Sequence, residues 1–466
     1  MISQATANRV MVEAMKTGAD FAEIFMEDRD NLSLSMLDGQ VENVSTAREY
    51  GAGIRILYGD RSIYVYTNDT SEASLIQAAT EAAAALGNQK NATRPDSSFA
   101  AVNHRNRSPI RLYPSDIMHP EKIELLMRAN RIARGVSNEI SQVSAGYADV
   151  DQKILVCNSE GLWTEDRRIR TRIMVSAVAS DGREFQTGSE SPGRSMGFEM
   201  FSQEVDVEEI SKMAAQQAIT MLHAEECPAG VVPVVIDSGF GGVIFHEACG
   251  HALEATAVAK GNSVFCDMLD KPIAAPCVSA VDDGTIPNAW GTLNMDDEGH
   301  ATQKNQLIEN GILKGYLIDR LGSRRMNMPS TGSGRRQNYT FTPTSRMNNT
   351  FICAGTDSDS QMLHDMPEGL YAKSMGGGSV NPLTGEFNFA VREGYWVKNG
   401  DMRPVRGATL IGKGADVLMK IDRVGKHVGM GTGMCGSISG SIPTNVGQPR
   451  IRVSEMIVGG KGGALS

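Results

Sequence analysis

The sequence is poor in cysteine and contains no long apolar run. Its seven cysteines are scattered over 466 residues without a CxxC pair, which argues against a disulfide framework and favours a reducing compartment. No segment reaches the ~18 consecutive apolar residues of a membrane-spanning helix. The N-terminus also lacks the basic and apolar regions of a signal peptide. We therefore expect a cytoplasmic protein with no membrane partner.

Positive charge is in deficit as well. Lysine and arginine together number 45 against 55 aspartates and glutamates, which gives a net charge of −10. Together with the lack of a DNA-binding motif, this balance argues against direct nucleic-acid binding.

Length and glycine content predict several domains rich in turns. At ~150 residues per domain, the chain holds two or three domains, and its 49 glycines are more typical of short strands and turns than of a helical bundle. We predict an α+β protein with helix-and-sheet units over residues 1–95 and 115–225. A mainly antiparallel β domain follows over 229–466, with a helix near its start.

Strand patterns are clearest in the two N-terminal units. The first unit is predicted to contain strands at 33–37, 41–45, 53–58 and 62–67 and then a helix over 71–86. In the second unit, a strand over 162–179 places Arg168, Arg170 and Arg172 on one face and apolar residues on the other. A solvated sheet face is the favoured interpretation, and a contact surface for an acidic partner is the alternative.

The segment Phe245-His246-Glu247-Ala248-Cys249-Gly250-His251 carries the clearest chemistry. Two imidazoles can bind Zn²⁺, and a glutamate beside the first can take a proton from water. The histidines are five residues apart, however, which separates them by about 140° on a regular helix instead of the roughly 40° of a four-residue spacing. We therefore expect a widened or unwound turn, with Gly250 as the residue that bends most easily.

A catalytic zinc site needs a third protein ligand. Cys435 is the first candidate, because the surrounding segment GMGTGMCG lets the backbone approach a metal closely and a thiolate binds zinc well. From the residues alone, other candidates stay open, namely His427, Glu254, Cys249 and His300.

Further polar groups have candidate roles around such a site. The run Asp296-Asp297-Glu298 is a candidate for holding the free nitrogen of a zinc-bound histidine, with a turn as the simpler interpretation. Arg335, Arg336 and Tyr339 are candidates for binding a peptide carboxylate or an oxyanion, and His427 for stabilising an oxyanion.

Several longer segments of the C-terminal half resemble the TldD/PmbA family of zinc metallopeptidases, formerly called modulators of DNA gyrase. They include FHEACGHALEATAV, VDDGTIPNAWGTLNMDDEGHATQ and GMGTGMCG. The chain is similar to the TldD branch, because the TldE/PmbA branch lacks the metal motif. The resemblance implies that His246, His251 and Cys435 bind one zinc per chain and that Glu247 is the general base. Gly436-Ser437 departs from the Gly-Lys continuation expected after the cysteine, so no role is assigned to a lysine there.

The same resemblance implies an assembly and a substrate class. We expect a cytosolic dimer with an internal cavity, either a homodimer or a heterodimer with a metal-free TldE/PmbA-like paralogue. Its substrates are expected to be unfolded, extended peptides. The alternative function is a non-catalytic peptide-binding or regulatory subunit with a structural metal, for which a fourth protein ligand would be decisive. A gyrase-binding effector rests on the old family name alone.

Overall fold

The structure is a computed structural model that describes residues 1–89, 95, 98–381 and 384–463. It contains helices and strands throughout, as expected for a mixed α/β protein. None of the helices that it describes is long and apolar enough to cross a membrane.

One eight-stranded sheet is built from both N-terminal segments. Its strands are β1 (Phe21–Leu37), β2 (Gln40–Tyr58), β3 (Arg61–Thr67), β4 (Ala100–Ala101), β5 (Ile140–Asn158), β6 (Leu162–Ser180), β7 (Phe185–Glu190) and β8 (Gly193–Arg194). The strand order is β3-β2-β1-β5-β6-β4, with β7 and β8 also paired to β6, and all pairings except β4–β6 are antiparallel. The units predicted over 1–95 and 115–225 thus share a sheet, and the boundaries between them stay a prediction.

Two pairs of helices cover this sheet. The N-terminal helices are α1 (Gln4–Met15), α2 (Glu72–Leu86), α3 (His119–Arg134), α4 (Met200–Gln203) and α5 (Val207–Leu222). Helices α1 and α2 contact each other and strands β1 to β3, whereas α3 and α5 contact each other and strands β5 to β7. The hydroxyl groups of Ser3 and Ser71 cap α1 and α2 by accepting from backbone N–H groups of the first turn.

The C-terminal part contains a second eight-stranded sheet and a six-stranded sheet. Their strands, with one short hairpin, are β9 (Glu225–Glu226), β10 (Gly230–Ile236), β11 (Ala280–Asp283), β12 (Lys304–Glu309), β13 (Ile312–Leu313), β14 (Gly334–Arg335), β15 (Thr344–Ser345), β16 (Asn349–Ile352), β17 (Glu368–Val380), β18 (Glu386–Lys398), β19 (Asp401–Arg406), β20 (Thr409–Lys413), β21 (Ile421–Val424), β22 (Gly429–Ser437), β23 (Gly440–Gln448) and β24 (Ile451–Gly459). The helices are α6 (Val243–Phe245), α7 (Ala255–Val258), α8 (Arg320–Met326), α9 (Asp359–His364) and α10 (Gly414–Met419).

The order of these strands places the predicted metal motif inside the C-terminal core. The larger sheet runs β17-β10-β24-β20-β18-β19-β9, with β21 also paired to β24, and the smaller one runs β13-β12-β11-β16-β23-β22. The helical segment after β10 contacts β16 of the smaller sheet and β18 of the larger one. Phe245, Cys249 and Met347 all belong to the apolar core that the two sheets share.

The arginine face of β6 is buried against the C-terminal part. Arg168 donates to Asp297 at 2.5 Å and to the Met295 carbonyl oxygen, and Arg170 donates to the carbonyl oxygen of Trp290. The expectation of a solvated face is therefore wrong, because this face of β6 packs against another part of the same chain. Alternation in a sequence marks a polar face but does not show whether water or protein covers it.

Candidate metal centre

The backbone between the two predicted metal histidines forms a widened turn. A 3₁₀ turn over Gly239–Gly242 leads into α6, and a π-helical turn then covers His246–Gly250. The N–H of His251 donates to the carbonyl oxygen of His246, five residues earlier. This i→i+5 hydrogen bond brings both imidazoles to the same side of the segment, as the unusual spacing requires.

Gly250 does not bend this turn. Its φ of −53° and ψ of −52° are ordinary right-handed helical values, so the expected bend at Gly250 is wrong. The reason for a glycine here is packing, because a β-carbon would overlap the thioether sulfur of the fully buried Met347.

Three potential metal ligands meet at the end of the turn. The Sγ atom of Cys435 lies 3.3 Å from Nε2 of His246 and 3.3 Å from Nε2 of His251. All three donor atoms lie within 4.8 Å of one another. Ligands of a tetrahedral zinc site with bonds of ~2.0–2.3 Å are roughly 3.3–3.6 Å apart, so the two distances to the sulfur fit one ion. Among the described residues, no other group of three or more histidines, cysteines and carboxylates has this geometry.

The surroundings of Cys435 favour the thiolate, which is the form that binds a metal. Burial would raise its pKa, but the imidazoles of His246 and His251 lower the pKa to about 4. Cys435 lies on β22, the edge strand of the smaller sheet, and its carbonyl oxygen accepts a hydrogen bond from the fully buried Arg346. A thiolate beside two imidazoles is a donor set suited to zinc.

Glu254 contacts His251 at the ring nitrogen that does not face Cys435. Its buried carboxylate oxygen Oε1 is 3.3 Å from Nδ1 of His251. Burial would lower the pKa of His251, but Glu254 and Cys435 raise it well above its ordinary value. Sequence reasoning considered Glu254 only as a ligand, although its position three residues after His251 was a local signal for this contact.

The run from Asp296 to Glu298 contacts backbone N–H groups and arginines instead of a metal histidine. Asp296 accepts from the N–H groups of Glu298 and Gly334. Glu298 pairs with the buried Arg55 of β2 at 2.6 Å. Asp297 pairs with Arg168. Burial would raise the pKa of Asp297, but the guanidinium groups of Arg168 and Arg336 lower it. The simpler interpretation is confirmed, because the segment forms a turn at residues 297–298. The candidate contact with a zinc-bound histidine is wrong, because Asp297 and Glu298 instead hold the N-terminal sheet against the C-terminal part.

Glu247 is the carboxylate beside the three ligands that is accessible to solvent. Its side chain is 30% exposed, and Oε2 lies 3.8 Å from Nε2 of His251. His246 and Cys435 are buried, and His251 is only partly exposed. Glu247 and His251 are therefore the members of this cluster that solvent reaches.

The remaining predicted site residues lie in different surroundings. Arg335 donates to the carbonyl oxygens of Met347 and Pro443, and Arg336 pairs with Glu23 at 2.7 Å. The backbone N–H of Tyr339 donates to Glu27. His427 is 87% exposed, with Nδ1 3.7 Å from Asp359 on α9. Their roles toward a substrate stay predictions, as does a ligand role for His427, Cys249 or His300.

Comparison with known proteins identifies the family of the chain. Three models of the PmbA/TldA metallopeptidase match the chain, for domain 1 at residues 22–86, the central domain at 112–222 and the C-terminal domain at 229–460. The chain belongs to the TldD/PmbA metallopeptidase family. It is 34% identical to the metalloprotease TldD homolog of Haemophilus influenzae over 458 residues, which cover 95% of this chain and 93% of the relative.

Other family members extend the comparison. A zinc metalloprotease TldD homolog of Saccharolobus solfataricus is 29% identical over 349 residues, 73% of this chain and 76% of the relative. Two solved structures share the fold. One is a Thermotoga maritima protein described as a candidate modulator of DNA gyrase (TM-score 0.81, 22% identity, covering 98% of this chain and 100% of that one). The other is TldE from Thermococcus kodakarensis (TM-score 0.78, 19% identity, covering 97% and 99%).

Proposed function

We propose that this member of the TldD/PmbA family is a zinc-dependent peptidase. His246, His251 and Cys435 would hold one zinc ion per chain, and Glu247 would act as the general base. The observation that carries this proposal is the convergence of two imidazoles and a thiolate on one point, beside a solvent-accessible carboxylate.

The roles of the side chains follow from their positions. Zinc, when bound, supplies a Lewis acid that polarises a carbonyl group and lowers the pKa of water. The Glu247 carboxylate takes a proton from the attacking water and returns it to the leaving amine. Glu254, with Oε1 at 3.3 Å from Nδ1 of His251, would orient the ring, while Arg346 holds the backbone of Cys435.

Access to the site favours flexible substrates. His246 and Cys435 are buried, and only Glu247 and His251 are partly open to solvent. This burial supports an unfolded, extended peptide as the substrate, because a flexible chain reaches recessed donor atoms more readily than a folded surface does. We further propose that the chain acts in the cytoplasm as a dimer, with a second copy or with a metal-free TldE/PmbA-like paralogue. The shared fold of the Thermococcus kodakarensis TldE structure supports such a pairing.

The non-catalytic alternative receives less support. A structural zinc site is closed by four protein ligands, whereas the described residues bring three donor atoms together here. A gyrase-binding function has no support in the net charge of −10.

Metal analysis and peptide cleavage test the proposal together. We expect one zinc per chain, cleavage of unstructured peptides that a chelator abolishes, and no cleavage of a stably folded domain. Cys435→Ala should lose both zinc and activity, because two imidazoles alone bind weakly. Full zinc occupancy in Cys435→Ala would show that the thiolate is not a ligand. Cleavage that survives removal of all metal would overturn the peptidase mechanism.

A further inference from the structure

A cavity of about 210 Å³ lies between strand β6 and the C-terminal part, and its lining is unusually basic. Six arginines line it, namely Arg29, Arg168, Arg170, Arg172, Arg335 and Arg336. Asp297 is its single carboxylate among the described residues. Side chains of Trp290, Met434 and Ile442 supply apolar parts of the wall.

Three of these arginines have carboxylate partners. Arg168 pairs with Asp297 and Asp166, and Arg336 pairs with Glu23. Arg29 is 3.8 Å from Glu49. These ion pairs compensate three of the six positive charges.

No carboxylate within the part of the chain that the structure describes pairs with the other three arginines, Arg170, Arg172 and Arg335. Arg170 is only 5% exposed, and its one hydrogen bond runs from Nε to the carbonyl oxygen of Trp290 at 3.2 Å. Arg335 donates only to carbonyl oxygens, at 2.6 and 2.8 Å, and Arg172 donates only to Ser191. Both terminal nitrogens of Arg170 therefore lack a hydrogen-bond acceptor in the described structure.

Uncompensated positive charge in this cavity is unfavourable. Burial and the nearby Arg335 and Arg168 lower the pKa of Arg170 well below its ordinary value. Burial likewise lowers the pKa of Arg335 to about 10, even though Asp297 opposes the shift. A buried charge is normally paired, and no carboxylate of the described residues forms an ion pair with Arg170 or Arg335.

We propose that this cavity binds a carboxylate group through the guanidinium of Arg170, with Arg172 and Arg335 adding to the positive field. The planar fork of an arginine matches the two oxygens of a carboxylate. A volume of about 210 Å³ is below the ~300 Å³ of a typical pocket for a drug-sized ligand, which suits a carboxylate on a short stem. The apolar walls suit such a stem as well.

The position of the cavity indicates a peptide as the source of the carboxylate. Met434, which precedes Cys435, lines the cavity, and so does Ile442, which pairs with Cys435 across β22 and β23. The cavity therefore lies along the strand pair that carries Cys435, which favours a peptide held at the proposed zinc site as its ligand. The assignment of the carboxylate to a peptide rests on the proposed function. The absence of a carboxylate partner for Arg170 does not. The carboxylate could belong to a peptide C-terminus or to an acidic side chain.

Binding of matched peptides distinguishes these sources. The first probe is N-acetylated tetra-alanine with a free C-terminal carboxylate, and the second is the same peptide as its amide. The third is the amide with one internal glutamate. Calorimetry in the zinc-loaded Glu247→Gln protein measures affinity without cleavage. We expect at least one acidic probe to bind about ten times more tightly than the neutral amide, with the preference reduced by salt.

Substitutions on strand β6 test whether the preference for acidic peptides depends on the cavity. Arg170→Gln should remove it, and Arg170→Lys should restore it only in part, because an ammonium group lacks the planar fork. Arg167→Gln is the matched control, since Arg167 lies three residues before Arg170 on the same strand but pairs with Asp151 at the surface. Should Arg170→Gln fail to fold, as judged by its thermal transition, Arg172→Gln tests the same field.

Each result bears on the inference separately from the peptidase proposal. Equal binding of the three probes, no binding of any probe, or a preference that persists in the folded Arg170→Gln or Arg172→Gln protein would overturn the inference. Zinc content and chelator-sensitive cleavage of the neutral amide by the wild-type protein report on the peptidase proposal, and they do not depend on Arg170.

Discussion

The carboxylate oxygen Oε1 of Glu254 lies 3.3 Å from Nδ1 of His251, while Nε2 of the same ring faces Cys435. A carboxylate in this position fixes the orientation of the ring and keeps Nε2 available for a metal. Arg346 links the contact to the rest of the site, because its Nε is 4.0 Å from the same Glu254 oxygen and its Nη2 donates to the Cys435 carbonyl oxygen.

Glu254→Gln should weaken zinc binding by about 10–100-fold, because an amide holds Nδ1–H less strongly than a carboxylate does. Competition with a chromophoric chelator measures the change. Glu42→Gln, at an exposed carboxylate on β2, is the control. Equal zinc affinity in the two variants would show that Glu254 does not support the ligand.

Alkylation of the zinc-free protein should select Cys435 in mildly acidic solution. Because the pKa of Cys435 is about 4, its thiolate is fully formed at about pH 6, and its rate with iodoacetamide should stay nearly constant up to about pH 8. Cys277 is more exposed, but burial raises its pKa, so its rate should rise about tenfold per pH unit. Peptide mapping by mass spectrometry compares the two sites, and added zinc should protect Cys435. Parallel pH profiles for both thiols would contradict the lowered pKa.

Glu247→Gln should retain zinc but lose about 10²–10⁴-fold in peptide cleavage, because glutamine cannot accept the proton of water. Zinc analysis and cleavage rates are to be measured on the same preparation. Loss of zinc together with activity would instead make Glu247 a contributor to the metal site.

Gly250→Ala should lower the free energy of unfolding by roughly 1–3 kcal/mol, because the new methyl group meets Met347 in a packed core. The same change in a Met347→Ala background should cost much less, since alanine is otherwise the better helical residue by ~1 kcal/mol. Urea denaturation of the wild type, the two single variants and the double variant gives the coupling free energy between positions 250 and 347. An additive result would place the cost of Gly250→Ala elsewhere.

Local sequence signals were sufficient for half of the metal centre. The five-residue spacing of His246 and His251 predicted a widened turn, which the structure contains. The approach of Cys435 depends on how β22 pairs with β23 and β23 with β16. No local pattern encodes such pairings, so the residues alone left several third ligands open, and only the family resemblance selected Cys435.

The missed parts of the fold have a common physical cause. The strand predicted over 33–37 begins at Phe21 instead, because residues 21–27 are buried on both faces and show no polar–apolar alternation. Likewise, the reason for glycine at position 250 is the distant Met347 rather than the local backbone. In both cases the deciding neighbours come from remote parts of the chain.

The hydrogen bond from His251 back to His246 shows that this segment has one residue more than a regular helical turn. Removing one residue between Glu247 and His251 would leave the order His-Glu-x-x-His, in which both imidazoles share one side of an ordinary α-helix. At the level of the gene, the two motifs differ by a single codon. A π-helical turn is the structural form in which a helix can absorb such an insertion without turning its metal ligands apart.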